Sequence, residues 1–263
     1  MSKKIIKMSD EEYFKVEALS NSGFRLLKES VLHFENQDLF KLSSPSLTLG
    51  SAVHKLVLEP EEFNDDFIIE DFEGAELNKN TKLYKEAKAQ WLDSVGDRQV
   101  LSIDLFKQVT KMATNVKAIA GGLLQNGISE LAFFGEFDGV PVKCKADYYN
   151  QEAGVVIDLK TTKSIKDFKK SILEYGYGTQ SAFYLDVIKS LGKKADRFVF
   201  ILVETTAPYM VSVQEMHTEG IEEGRMIYSE YLQTWKDYKE NAIINVIKTT
   251  NYPEWFLEQR RGA

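Results

Sequence analysis

Val155-Val156-Ile157-Asp158-Leu159-Lys160-Thr161-Thr162 is an apolar run that presents an acid and a lysine two residues apart. Successive side chains of a strand point to opposite faces, so Asp158 and Lys160 project from the same side. Two charges at the end of a buried strand are costly unless they serve a site. A carboxylate suited to a hard cation, beside an ammonium that handles a phosphate or a water, meets the needs of metal-assisted phosphodiester cleavage. An Asp-x-Lys pair is equally common as a surface ion pair on an edge strand, so the neighbouring sequence has to decide.

Upstream, Asp138-Gly139 stands between the runs Phe133 to Asp138 and Val140 to Tyr149. This is a strong hairpin signal. In the second run Val142, Cys144, Ala146 and Tyr148 alternate with Lys143, Lys145, Asp147 and Tyr149, which predicts one packed and one polar face. Asn150 to Gly154 form the turn into the Asp158 strand. Antiparallel pairing around that turn brings Asp147 and Asp158 to neighbouring positions, close enough to share one cation. As an isolated residue, Asp147 would merely cap the following loop.

Downstream, Ser164 to Glu174 and Gln180 to Leu191 read as helices. Gln180 and Tyr184 are four apart on one face, with Tyr177 a turn earlier. Their neutral hydrogen-bonding groups suit a phosphate or strand oxygen, though a half-buried Gln beside a core Tyr fits as well. Leu49, Val53, Leu56 and Val57 recur at helical spacing before Pro60. On that helix Gly50 lets another backbone approach, and His54, four residues on, points into the gap. The chain has three histidines, His33, His54 and His217, too few for a His-rich metal cluster.

Taken in order, Gly-x-x-x-His (Gly50, His54), Lys145-Ala146-Asp147, Asp-x-Lys (Asp158, Lys160) and Gln-x-x-x-Tyr (Gln180, Tyr184) resemble the RecB-like branch of PD-(D/E)XK nucleases. Within it the wording is similar to the exodeoxyribonuclease VIII (RecE) nuclease domains and their phage relatives. Ile157 to Thr162, Tyr175 to Tyr184, Trp235, Tyr252-Pro253-Glu254-Trp255 and the opening Leu19 to Gly23 carry that likeness. It spans about Leu19 to Trp255; the stretch from Glu61 to Gly127 holds none of the motifs.

The resemblance implies a restriction-endonuclease-like α/β fold and a Mg²⁺-dependent exodeoxyribonuclease of linear duplex DNA, 5′ to 3′, in phage-type recombination. It implies metal ligands Asp147, Asp158, the Leu159 carbonyl and His54, with Mn²⁺ as a substitute suited to a nitrogen ligand. Lys160 would orient or deprotonate the attacking water or neutralise developing charge, and Gln180 and Tyr184 would hold the scissile strand or the metal-bound water. Glu136, Ser20, Ser22 and Tyr177 are further candidates toward substrate, although Ser20 or Ser22 also reads as a helix N-cap. A His54 of ordinary pKa would release the metal as pH drops below about 6.5. Duplex DNA ends, a RecT-like single-strand annealing protein and a ring of identical subunits, most simply a tetramer, are the implied partners. A structure-specific endonuclease and a non-catalytic DNA-binding protein are the rival readings.

The 263 residues read as one domain, 1–263, with no linker-like stretch, repeat or low-complexity tract. Apolar runs are too short to span a bilayer, and Met1 to Lys7 lacks the core of a secretory signal. The single Cys144 excludes an internal disulfide and a four-cysteine iron–sulfur site, and fits a reducing cytoplasm. A net charge of −7 and a pI of about 5.2 are unusual for a protein that wraps DNA. Basic groups would then be gathered locally, as in Lys160, Lys163, Lys166, Lys169 and Lys170, a run that also fits a solvated helix face.

The element order is α/β: a helical N-terminal third (Ser22 to Lys28, Ser46 to Leu58, Lys82 to Asp93, Ile103 to Ile119), then the hairpin, the Asp158 strand and two helices. Strands over Asp196 to Glu204 and Tyr209 to Val213 and a long helix over Glu219 to Lys248 follow. The expectation is a central mixed sheet flanked by helices.

Overall fold

The computed structural model describes residues 4–40 and 45–241. The strands are β1 (Lys4–Lys7), β2 (Phe67–Ile69), β3 (Gln99–Leu101), β4 (Ile128–Phe137), β5 (Val140–Asn150), β6 (Val155–Thr162), β7 (Arg197–Glu204) and β8 (Val211–Glu215). The helices are α1 (Asp10–Lys15), α2 (Asn21–Glu29), α3 (Val31–Glu35), α4 (Pro45–Leu58), α5 (Phe63–Asp66), α6 (Lys82–Asp93), α7 (Ile103–Ala120), α8 (Phe168–Tyr175), α9 (Tyr177–Ser190) and α10 (Thr218–Asn241).

Six strands form one sheet in the order β1-β4-β5-β6-β7-β8. β6 and β7 run parallel and every other neighbouring pair antiparallel. The sheet is therefore mixed and mostly antiparallel. Its parallel step is made by the β6-α8-α9-β7 crossover, as a parallel pair requires. β6 is interior, which rules out the edge-strand reading of Asp158 and Lys160.

Period-two alternation along β7 shows how the faces divide. Phe198, Phe200 and Leu202 pack with Phe24, Phe183 and Tyr228 under α2, α9 and α10. Val199, Ile201 and Val203 pack with Val53, Val109 and Met112 under α4 and α7. Both faces are thus covered, which explains the nearly continuous apolar run of this strand.

Two sequence expectations need correction. The lysine face of β5 is polar but not open, because α1 and Val16 after it lie over it. Lys143 is only 5% exposed and donates to the Tyr13 and Val16 carbonyls at 2.8 and 2.7 Å. Burial lowers its pKa to about 8. Second, the hairpin has a third partner in β1, and a small parallel pair, β2 with β3, lies in the segment without motifs. Both were missed because three or four residues carry too little periodicity. The expected C-terminal helix is α10 as far as Asn241; residues 242–248 and Tyr252 to Trp255 lie outside the described residues. Trp235 lies within them and packs edge-on to Phe34, ring centres 4.8 Å apart.

Candidate active site

β5 and β6 pair through Asn150↔Val155, Tyr149↔Val156 and Tyr148↔Ile157. The next residue on each strand is an aspartate, Asp147 and Asp158, and there the ladder ends. In place of a further rung, Oδ2 of Asp147 accepts the Leu159 N–H at 2.8 Å. Beyond that point β6 is held from its other side, because β7 pairs with it through Thr162.

Asp158 is 2% exposed. Its Oδ1 accepts from Lys160 Nζ at 2.8 Å and from Gln180 Nε2 at 2.6 Å. Its Oδ2 lies 2.6 Å from Lys160 Nζ but outside hydrogen-bond geometry, so this buried oxygen has no hydrogen-bond partner. Gln180 reaches the site because α9 starts at Tyr177, directly after Gly176 ends α8 in the left-handed conformation at φ 68°. Only glycine adopts that conformation without strain.

Lys160 Nζ sits 5.2 Å from the ring centre of Tyr177. Burial disfavours its ammonium, but Asp158 and Asp147 outweigh burial and hold the pKa above the ordinary lysine value. In the metal-free site Lys160 is a fixed cation, which favours charge neutralisation over a role as general base.

α4 brings His54 in from the opposite face. Nδ1 of His54 lies 3.5 Å from Asp147 Oδ2. Burial first, and then the positive Lys160, lower its pKa to about 4. The imidazole is therefore neutral, as a metal ligand must be, and the expected loss of metal below about pH 6.5 moves to lower pH at this residue. Gly50 fits the expected role: a Cβ there would stand 3.3 Å from Thr161 Oγ1.

Glu130 joins the cluster, and the sequence reading missed it. It lies across from Asp147, between the rungs Ser129↔Tyr148 and Leu131↔Ala146, where no rung forms. Both strands change face at this point. Leu131 and Ala146 belong to the α9 face, whereas Tyr148 belongs to the α4 face and Ser129 donates to the Leu58 carbonyl of α4 at 2.8 Å. Glu130 accomplishes the change with a left-handed φ of 55°, a strained state for a non-glycine residue. Ligand atoms of His54, Glu130 and Asp147 all lie within 4.8 Å of one another. Counting the hairpin register back from Asp138-Gly139 would have found Glu130. Glu136, a candidate toward substrate, is exposed on the same strand, six residues on at ~3.3 Å each, and lies apart from the cluster.

Burial, followed by repulsion from Asp158, raises the Asp147 carboxyl well above the usual aspartate value. Burial also raises Glu130, against the pull of Lys145 at 2.8 Å. With Asp147, Asp158 and Glu130 ionised, three negative charges face the two cations Lys160 and Lys145. A carboxyl whose ionisation burial and repulsion oppose, a second buried carboxylate beside it and a neutral imidazole together fit a divalent cation.

Tyr184 borders the site. Its ring packs edge-on to Phe198, and burial raises its hydroxyl pKa, with smaller contributions from Asp158 and Asp147. Ser20 is the N-cap of α2, accepting from Gly23 N at 3.4 Å, and its hydroxyl is 3.0 Å from that of Ser22. Both serines line a separate cavity of about 930 Å³ with Lys143 and Trp235.

Residues 20–244 match a family described as a PDDEXK-like domain of unknown function (DUF3799). No curated protein matches the chain. Among solved structures, a candidate exonuclease from Eubacterium rectale is similar over 98% of this chain and 100% of its own, with a TM-score of 0.61 and 16% identity. A phage-related exonuclease from Haemophilus somnus 129PT shares 13% identity over 73% of this chain and 95% of its own, with a TM-score of 0.32. At these identities the first likeness speaks for the fold, the second for nothing further. The match covers most of the chain, and the chain belongs to the PDDEXK-like DUF3799 family.

Proposed function

We propose that this protein is a divalent-metal-dependent exodeoxyribonuclease that hydrolyses linear duplex DNA from its ends in the 5′ to 3′ direction. The observation that carries the reading is the meeting of His54, Asp147, Asp158 and Lys160 at the point where β5 and β6 part. The family and the description of the Eubacterium rectale neighbour as an exonuclease support it.

His54, Asp147, Asp158 and the Leu159 carbonyl would hold Mg²⁺, with Mn²⁺ as a substitute. Such an ion would lower the pKa of a bound water and offset charge building on the phosphate. Lys160 keeps its proton and lies over the same carboxylate, so it neutralises the phosphate oxygens and orients the attacking water. Gln180 fixes Asp158 through Oδ1, while Oδ2 lies 2.6 Å from Lys160 Nζ. Lys163, Lys166 and Lys169, all exposed after β6, lie along a path for the DNA backbone.

The acidic overall charge suits a ring of identical subunits, a tetramer, with basic groups turned to a central bore. A closed ring is threaded from an end, which makes end-dependence a consequence of topology. A RecT-like annealing protein would take the single strand left behind, and the cytoplasm is the compartment this implies. Among the described residues no helix is long and apolar enough to cross a membrane.

The test is digestion with Mg²⁺ of 5′- and 3′-labelled linear duplex beside a relaxed covalently closed circle, with solution mass from light scattering. Degradation of the linear duplex alone, by an oligomer, is expected. Cleavage of the circle at the linear rate would favour an endonuclease, and binding without cleavage a non-catalytic protein.

A further inference from the structure

We propose that Glu130 is a further side-chain ligand, beside His54, Asp147 and Asp158, for the divalent cation of this site, and that Lys145 holds its carboxylate in readiness. The inference rests on the nuclease reading above and deepens it.

Four observations carry it. Ligand atoms of Glu130, His54 and Asp147 lie within 4.8 Å of one another, so one ion can reach all three. A nitrogen and two carboxylates form a donor set for a transition metal or Mg²⁺, not a mere acidic patch. The buried Oδ2 of Asp158, the neighbour of Asp147, makes no hydrogen bond, its contact being the ion pair with Lys160 Nζ at 2.6 Å, so its acceptor capacity is not filled. Finally, Glu130 occupies a left-handed backbone at the rung where β4 and β5 both change face. A glycine or asparagine would sit there with less strain; the carboxylate is what glutamate adds.

Lys145 explains how that carboxylate stays in place without a metal. Its Nζ lies 2.8 Å from Glu130 and 2.6 Å from Asp10, and its side chain is largely buried. Asp10, in the first turn of α1, fixes Lys145 from outside. Lys145 is thus a positioning residue. Entry of a divalent cation adds the positive charge that the four carboxylates Asp10, Glu130, Asp147 and Asp158 require beyond the two ammonium groups.

The test is Mn²⁺ binding, read from loss of the free-ion signal in electron paramagnetic resonance, with thermal melting of the same metal-free samples. Glu130→Gln removes the charge. Glu130→Gly removes the side chain while relieving the left-handed strain, so it keeps the fold if the first variant does not. Asp147→Asn reports on the underlying site. The expected result is a rise in Mn²⁺ Kd of at least about tenfold in both Glu130 variants, with the melting temperature of Glu130→Gly close to or above wild type. Wild-type Mn²⁺ affinity in both Glu130 variants, with loss in Asp147→Asn, would overturn the inference and leave Glu130 a partner of Lys145. Wild-type affinity in Asp147→Asn would instead bring down the metal-site reading itself, and this inference with it.

Discussion

Oδ2 of Asp147 accepts the Leu159 N–H at 2.8 Å, one position past the last main-chain rung between β5 and β6. A side chain thus replaces a backbone acceptor at the place where the strands part. The substitution keeps the Leu159 donor satisfied, as a buried N–H must be. It also commits Asp147 to a half-buried position beside the buried Asp158, where two like charges repel.

That repulsion makes Asp147→Asn informative. The Asp147 pKa is raised in the folded protein, so the unfolded chain gives up this proton more readily and stability is lost as pH rises above the ordinary aspartate pKa, a loss in force at neutral pH. Asparagine keeps an acceptor for Leu159 and drops the charge. The metal-free variant is expected to be more stable than wild type at pH 7, while cleavage falls at least ~10²-fold. Urea unfolding in chelator and a Mg²⁺ activity assay check the two halves. Asp158→Ala should lose activity to the same degree, and near-wild-type cleavage in either variant would remove both residues from the metal site.

Lys160→Ala should lower single-turnover cleavage far more than DNA affinity, because a fixed cation acts on charge that develops in the transition state. Lys160→Arg should restore only part of the rate, since a planar guanidinium does not replace a point ammonium over the Tyr177 ring. Weakened binding with unchanged single-turnover cleavage would make Lys160 a simple phosphate contact.

For His54 the folded pKa is about 4 against an ordinary 6.5. Between those values the unfolded chain binds more protons than the folded one, so stability falls as pH drops through that window. At ~1.4 kcal/mol per unit the ceiling is about 3 kcal/mol, reduced because 27% of the side chain meets solvent. In chelator, wild type should lose about 1–2 kcal/mol more than His54→Gln between pH 7 and pH 4.5. Equal losses in the two proteins would mean that the imidazole is not held neutral.

Gly224 on α10 lies against the start of α9. A Cβ there would run into the Gly178 carbonyl and approach Thr179 N to 2.8 Å. Both obstacles are backbone, so neither can swing aside. Gly224→Ala should therefore destabilise the protein by about 1–3 kcal/mol and displace Gln180, two residues along α9 from Gly178, lowering cleavage as well. Wild-type melting temperature and activity would show that the two helices have room to separate.

The sequence by itself determined the longer elements and which candidate residues share a face. Period-two runs bounded by Asp138-Gly139 and Asn150 to Gly154 specify β4, β5 and β6, and their turns specify the register that aligns Asp147 with Asp158. Helical spacing places Gly50 with His54, and Gln180 with Tyr184, on shared faces. These features are local, because turn chemistry and side-chain periodicity act over a few residues. Tertiary structure decided what depends on distant contacts. α1 and Val16 lie over the lysine face of β5, so that Lys143 is buried and Lys145 half-buried. Ser20 and Ser22 line another cavity, and Glu136 stays at the hairpin's far end. Glu130 enters the site because β4 and β5 change face together at one rung. That inversion is set by α4 packing on one side and α9 on the other, against the strand's own alternation, and no period-two reading of either strand contains it.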